Sequence, residues 1–224
     1  MKTGLFKQIR EQAEILHGGR EQISSLMPEP KSAMSLRRRT DSWYLSLMSR
    51  RIFRAGLKHA MVDAKWPAFE QVFSDFDINH ARMLSDDDLE ALMNNRNIIR
   101  HWGKLKSIRT NANAISDLQD QYKGMGDYLA AWPVMEITGL WEDLIKRFTH
   151  LGGNSGPYFL RMAGKDTFLL TRDVVTALNY WGVFGGEPKG RSDRTRIQNI
   201  FNQWHMESGR PLCEISMTLA LSTD

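Results

Sequence analysis

The chain has 224 residues, 42% of them hydrophobic, and 30 Lys/Arg against 26 Asp/Glu give a formal net charge of +4. That length and apolar content can bury a sizeable core unaided. The single cysteine, Cys213, excludes a disulfide framework and any structural zinc site built on two or more thiolates. No apolar run approaches the roughly 18 residues that would suggest a membrane-spanning helix. The opening segment, MKTGLFKQIREQAEILHGG, is amphipathic but lacks an apolar signal core and a small-residue cleavage site, so no signal peptide is expected and a cytoplasmic location follows.

Helical spacing predicts the elements in order. Leu5, Ile9, Ala13 and Leu16 mark a helix over 4–17 that ends at Gly18-Gly19. Residues 27–36, with Pro28, Pro30 and several serines, read as a linker. A helix is expected from Trp43 to Val62, followed by one from Ala68 to Phe76 with Pro67 in its first turn. Ser85 followed by three aspartates signals the start of a helix over Leu89 to Asn94. Further helices are expected over Gly103–Tyr122, Ile137–Phe148, Tyr158–Met162, Thr171–Trp181, Ser192–Met206 and Pro211–Leu221. Period-two alternation is scarce, so the fold class is all-α, with roughly a dozen helices. Residues 1–40 are taken as a helical appendage and linker, and 41–224 as the main domain.

Charge is segregated along the chain. Residues 31–60 carry eight Lys/Arg against Asp41 alone, and residues 61–96 reverse to three against eight. Residues 97–112 hold Arg100, Lys104, Lys106 and Arg109 with no acid. Basic segments of this kind fit an anionic partner, and nucleic acid is the expected one; a solvated charged face is the competing reading.

Between two helices lies Leu151-Gly152-Gly153-Asn154-Ser155-Gly156-Pro157. Glycines allow tight backbone turns, and Pro157 suits the first turn of the following helix. Free N–H groups at that helix start would make an anion site for a phosphodiester. The same residues also suit an ordinary helix–helix connection.

This turn resembles the hairpin of the helix-hairpin-helix DNA glycosylases, whose usual pattern is Leu-Pro-Gly-x-Gly followed by a helix. The stretch Ile98-Ile99-Arg100-His101-Trp102-Gly103-Lys104-Leu105, continuing to Asn111-Ala112, resembles a signature of the 3-methyladenine DNA glycosylase I family. Ala55-Gly56-Leu57, Phe73-Ser74-Asp75-Phe76-Asp77 and the late segment Phe168–Gly182 fall in that family's order. The resemblance spans roughly residues 43–205. It implies hydrolysis of the N-glycosidic bond of a flipped, alkylated purine of the 3-methyladenine type in double-stranded DNA. It also implies a nucleoid-associated monomer with no membrane partner. No lysine sits in the hairpin to form a Schiff base, so a monofunctional glycosylase is implied.

On the family's pattern, Arg51 stands where a base-reading glutamate is expected, and His59 where a pocket tryptophan is expected. An arginine donates hydrogen bonds and repels a cationic base, whereas a glutamate accepts from an adenine amino group. The candidate substrate-binding residues are Arg51, Phe53, His59, Trp43, Tyr44, Trp66 and Thr171. Phe53 and the other aromatic residues are equally readable as core. Asp173 is the candidate catalytic carboxylate, with helix-dipole compensation as its alternative; Asp166 is a weaker candidate. The candidate DNA-binding residues are Gly152, Gly153, Asn154, Ser155, Gly156, Arg100, His101 and Lys104. The family often carries a zinc site of two Cys and two His, and an N-terminal Tyr-His-Asp-x-Glu-Trp-Gly motif. This chain has one Cys, lacks the motif, and shows no His-x-x-x-His spacing among its six histidines, so no metal and no cofactor are expected. Two further readings compete with the enzyme: a protein that binds lesions on the same scaffold without cleaving, and a helical interaction module.

Overall fold

A computed structural model describes residues 4–223, and every regular element among them is helical. In chain order these are α1 (Leu5–Leu16), α2 (Arg20–Leu26), α3 (Ala33–Arg37), α4 (Asp41–Arg54), α5 (His59–Val72), α6 (Ile78–Met83) and α7 (Asp86–Leu92). They continue with α8 (Trp102–Leu118), α9 (Met125–Ala131), α10 (Ile137–Arg147), α11 (Ser155–Ala163), α12 (Arg172–Tyr180), α13 (Gly190–Ser208) and α14 (Leu212–Ala220). The fold class is all-α, as composition and spacing predict.

Several boundaries depart from the sequence reading. The helix expected from Trp43 to Val62 is broken into α4 and α5 by an elbow at Ala55–Lys58. Gly56 sits there at φ +78°, a left-handed conformation that side chains resist. Pro67 lies inside α5 rather than in a first turn. Its missing N–H leaves the carbonyl of Asp63 without a helical donor, yet the helix runs on to Val72. Part of the expected linker is α3, where Ser32 accepts from the Ser35 N–H at 3.2 Å. The predicted cap at Ser85 is present as a reciprocal capping box with Asp88.

The chain forms two compact units. One comprises Ser32–Trp132 and Trp141–Ala163 and is organised around α4, which packs against α5, α8, α9 and α11. Tyr44, Leu45, Met48, Ile52 and Phe53 of α4 recur at helical spacing and are buried. Phe53, Trp66, Phe69, Phe73 and Phe76 form a continuous aromatic cluster, with the Phe53 and Phe69 ring centroids 4.7 Å apart and those of Trp66 and Phe69 4.9 Å apart. Past α5 the chain places Ser74, Asp75 and Phe76 at φ 50°, 54° and 58°. Left-handed backbone costs about 1–2 kcal/mol per non-glycine residue. The buried Phe76 ring, stacked 5.4 Å from Trp66, offsets that cost.

The other unit comprises the residues up to Lys31, Pro133–Leu140 and the stretch from Gly164 onward. Its centre is α14, whose Leu212, Cys213, Ile215 and Leu219 are buried against α1, α12 and α13. Phe168 stacks on Phe201 at 4.2 Å. The buried Asp166 carboxylate accepts the N–H groups of Leu212 and Cys213 at 3.0 and 2.8 Å, so it neutralises the positive end of α14.

Candidate functional site

The elbow between α4 and α5 builds the site. At the end of α4, the N–H of Ala55 returns to the carbonyls of Arg51 and Ile52. The ammonium of Lys104 on α8 donates to the carbonyls of Phe53 and Ala55 at 3.3 and 2.7 Å. These are terminal carbonyls that the helix cannot satisfy itself. The elbow, with Arg51, Arg54, His59 and Tyr158, lines an open concavity of about 550 Å³.

The three arginines of α4 have different fates. Arg50 and Arg54 both reach Asp63, with donor–acceptor distances of 2.9 Å from Arg50 and 2.6 Å from Arg54. Arg51 instead lays its guanidinium 4.6 Å from the centroid of the Tyr158 ring. Its Nε is buried and makes no hydrogen bond. Burial holds the Arg51 guanidinium below the usual arginine range, with the Tyr158 hydroxyl opposing and Arg54 adding to the effect. Burial, and then the charge of Arg51, likewise hold Lys104 below the usual lysine range.

Asp63 carries a pH-dependent prediction. Hydrogen bonds from Arg54, and then Arg50, hold its carboxyl below the usual carboxylate value. A depressed folded-state pKa contributes stability above the unfolded value, near pH 4, and loses it as pH falls through the folded one. Asp63→Asn is expected to lower stability by about 1 kcal/mol at pH 7, the network being partly solvated. In thermal melts, the gap between variant and wild type should close below about pH 4; a gap that is constant with pH would show that the pairs contribute nothing.

The structure separates the sequence candidates. Arg51 and His59 line the concavity. Phe53, Tyr44 and Trp66 do not: their side chains are buried in the core. The Tyr44 hydroxyl donates to the Leu36 carbonyl at 2.8 Å and the Trp66 Nε1–H donates to the Ser46 hydroxyl at 3.0 Å. Trp43 is half-buried with its ring edge-on to Tyr44, under the Arg39 guanidinium. Thr171 and Asp173 belong to the other compact unit. There Thr171 is the N-cap of α12, accepting from the Val174 N–H at 3.3 Å, and Asp173 is exposed in its first turn. Tyr158 went unrecognised in the sequence. It follows the Gly-Pro pair of the hairpin, but nothing local signals that its ring covers a side chain of α4.

The hairpin corrects a second expectation. α11 starts at Ser155, three residues before the predicted Tyr158. The helix-start N–H groups do not point free: Ser155 donates to Gly152 and Gly156 to Leu151, both at 3.1 Å, while Tyr158 donates to Asn154 at 3.0 Å. Pro157 has no N–H to give. A Cβ at Gly156 would lie 3.0 Å from the Leu151 carbonyl oxygen, so this close turn needs glycine. The exposed donors that the turn does not consume are the N–H groups of Gly152 and Gly153, the latter at φ +58°.

The two stretches that carry the family resemblance meet in space. The buried Asn111 of α8 donates to the Thr149 carbonyl at 3.2 Å and accepts from its N–H at 2.7 Å, clamping the chain just before the hairpin. A Cβ built on Gly103 would come within 3.7 Å of His101 and 3.9 Å of His150, so the start of α8 lies beside the start of the hairpin. His101 caps α8, its Nδ1 accepting from the Lys104 N–H at 3.3 Å. Arg100 is exposed next to it, whereas the Lys104 ammonium is taken up by the end of α4. Arg100 and His101 are exposed at the start of α8, and Gly152 and Gly153 are exposed in the turn that follows His150. Among the described residues, no helix is long and apolar enough to cross a membrane, and no cluster of His, Cys, Asp and Glu has the makings of a metal site.

Solved structures of DNA glycosylases share this architecture. An 8-oxoguanine glycosylase/lyase from Methanocaldococcus jannaschii, solved with DNA containing 8-oxoguanine, aligns over 95% of both chains with a TM-score of 0.55 at 16% identity. A 3-methyladenine DNA glycosylase I from Staphylococcus aureus aligns over 62% of this chain and 80% of its own, with a TM-score of 0.52 at 22% identity. A variant of 3-methyladenine DNA glycosylase I in complex with 3-methyladenine aligns over 56% and 77%, with a TM-score of 0.51 at 23% identity. At these identities the likeness establishes the helix-hairpin-helix glycosylase fold. Residues 37–144, just under half of the chain, match the methyladenine glycosylase family model. The match includes the α4–α5 elbow and α8, and it ends before the hairpin and α12, so it is narrower than the span of 43–205 expected from the sequence. No curated protein matches the chain.

Proposed function

We propose that the protein is a base-excision DNA glycosylase, hydrolysing the N-glycosidic bond of a damaged purine flipped out of double-stranded DNA. The resemblance to the methyladenine glycosylases implies an alkylated purine, while Arg51 on the pocket wall disfavours the cationic 3-methyladenine itself. The observation that carries the reading is the concavity at the α4–α5 elbow, within the segment that matches the family, with Arg51, His59 and Tyr158 on its wall. Flipping a weakly paired lesion costs only a few kcal/mol, which stacking and hydrogen bonds in a pocket recover. Alkylation makes the base a good leaving group, so a carboxylate that steers water or steadies the oxocarbenium ion suffices. Asp173, in the first turn of α12, is the candidate for this role on the resemblance alone. Arg100, His101 and the backbone of Gly152, Gly153 and Asn154 are assigned to the phosphates. A monomer located with the nucleoid in the cytoplasm goes with this reading.

A second reading, recognition of the lesion without cleavage, is favoured by one observation: no Asp or Glu lines the concavity. Release of free base from alkylated duplex, wild type against Asp173→Asn, decides between them. Wild-type release that the variant loses supports the enzyme. No release across a lesion panel, with duplex binding retained, selects the second reading. Binding itself is expected to fall linearly in log K against log salt, and Arg100→Ala should make that slope shallower by about one, the loss of one phosphate contact. A slope unchanged in Arg100→Ala removes that residue from the interface.

A further inference from the structure

Among the described residues, the concavity holds one half-buried charge that the protein leaves uncompensated. Arg51 is half-buried, its Nε is closed off from solvent without a hydrogen-bond partner, and it forms no ion pair among the described residues. Arg50 and Arg54, on the same helix, both share Asp63. A cation withdrawn from water without an acceptor is costly, and acceptors brought by a ligand would offset that cost. The guanidinium carbon lies 4.6 Å from the Tyr158 ring centroid, and of the guanidinium nitrogens only Nε is closed off without a partner, which leaves the N–H donors of the two terminal nitrogens to a ligand. The rest of the lining adds the exposed Lys58 and no carboxylate, the Asp63 carboxylate being taken up by Arg50 and Arg54.

Resting on the glycosylase reading above, we propose that Arg51 makes this pocket selective for 6-oxopurines, read through O6 and N7, over 6-aminopurines and over cationic bases. The fork of a guanidinium matches two adjacent acceptors, and the O6/N7 edge of a purine is its commonest specific partner on a base. An adenine-type base places its amino donor where O6 would stand, so a donor faces a donor. A base that carries positive charge is repelled by Arg51 itself. Phosphate oxygens satisfy the same donors, and the test separates the two sources.

The full chain is titrated calorimetrically with free hypoxanthine, adenine, 3-methyladenine and inorganic phosphate, and duplex binding is measured on the same sample at low and moderate salt. Wild type is compared with Arg51→Lys and Arg51→Ala, each checked for native helicity by far-UV circular dichroism; Arg51→Gln replaces the alanine variant if that one unfolds. Hypoxanthine is expected to bind about tenfold or more tightly than adenine, the discrimination of one bidentate contact. The alanine or glutamine variant should lose that preference, and lysine should retain only part of it, because an ammonium lacks the fork. Phosphate should not displace hypoxanthine. The proposal is overturned if adenine or 3-methyladenine binds as tightly as hypoxanthine, if phosphate displaces the base, or if no base binds the folded wild type. Salt-sensitive duplex binding that persists in any of these cases leaves the DNA-repair reading standing and removes only the 6-oxopurine preference; absent duplex binding removes both.

Discussion

Phe69→Ala is expected to lower stability by about 3–5 kcal/mol, the cost of deleting a fully buried aromatic ring. Phe69 is the hub of the cluster under the elbow: its ring meets Phe53 at 4.7 Å, Trp66 at 4.9 Å and Phe73 at 6.3 Å. Removing it leaves a cavity that cannot close without moving α4 against α5, and those helices carry Arg51 and His59. For a chain of this size, about 2–4 °C of melting temperature is lost per kcal/mol, so a drop of roughly 10 °C should be seen in thermal denaturation. Phe69→Leu, which keeps most of the apolar volume, should lose much less. A fall of under about 3 °C for the alanine variant would mean that the cluster contributes little to the stability of this unit.

Asn111→Ala should combine a moderate loss of stability with a loss of DNA affinity. Both amide atoms of Asn111 serve the backbone of Thr149, and the residue is fully buried. Truncation leaves the half-buried N–H and carbonyl of Thr149 without partners, which costs about 1–2 kcal/mol. The same change frees the chain immediately before His150 and the 151–157 turn, so the exposed donors of Gly152 and Gly153 are no longer anchored to α8. Duplex binding at a temperature where the variant is folded should weaken, while Asn113→Ala, exposed on the same helix, should change stability by no more than about 0.5 kcal/mol. Unchanged duplex binding by folded Asn111→Ala would detach the hairpin from the DNA interface.

Much of this fold is legible in the chain because helices announce themselves locally. The Ser85 box, the start of α12 at Thr171 and the end of α1 before Gly18 all follow from short-range capping and periodicity. The elbow at Gly56 was not legible as a break, because a single glycine within a helical pattern does not by itself end a helix; here the tertiary grip of Lys104 on the Phe53 and Ala55 carbonyls holds the end of α4. Pro67 misled in the opposite direction, since packing of Val62, Trp66 and Phe69 carries α5 through it.

The candidate site divides along the same line. Arg51 and His59 are legible through the resemblance, whose pattern places them relative to Ala55-Gly56-Leu57, although the elbow at Gly56 puts them on two helices rather than one. Which aromatic ring meets Arg51 was not accessible to spacing: Phe53 turns into the core, and Tyr158, remote in the chain, supplies the contact. Likewise the three arginines of α4 are alike in sequence, and only the position of Asp63 on α5 separates the two that are neutralised from the one that is not.

The sequence by itself determined that the chain is helical, that it bears the pattern of the methyladenine glycosylases, and that an arginine stands where that pattern expects a glutamate. These are properties of local propensity, order and residue identity. Only the tertiary structure decided that the arginine is half-buried without a counter-ion, that the first turn of α11 spends its N–H groups on its own hairpin, and that Lys104 serves a helix end. Charge pairing and hydrogen-bond satisfaction depend on groups that meet in space, and distance along the chain does not encode them.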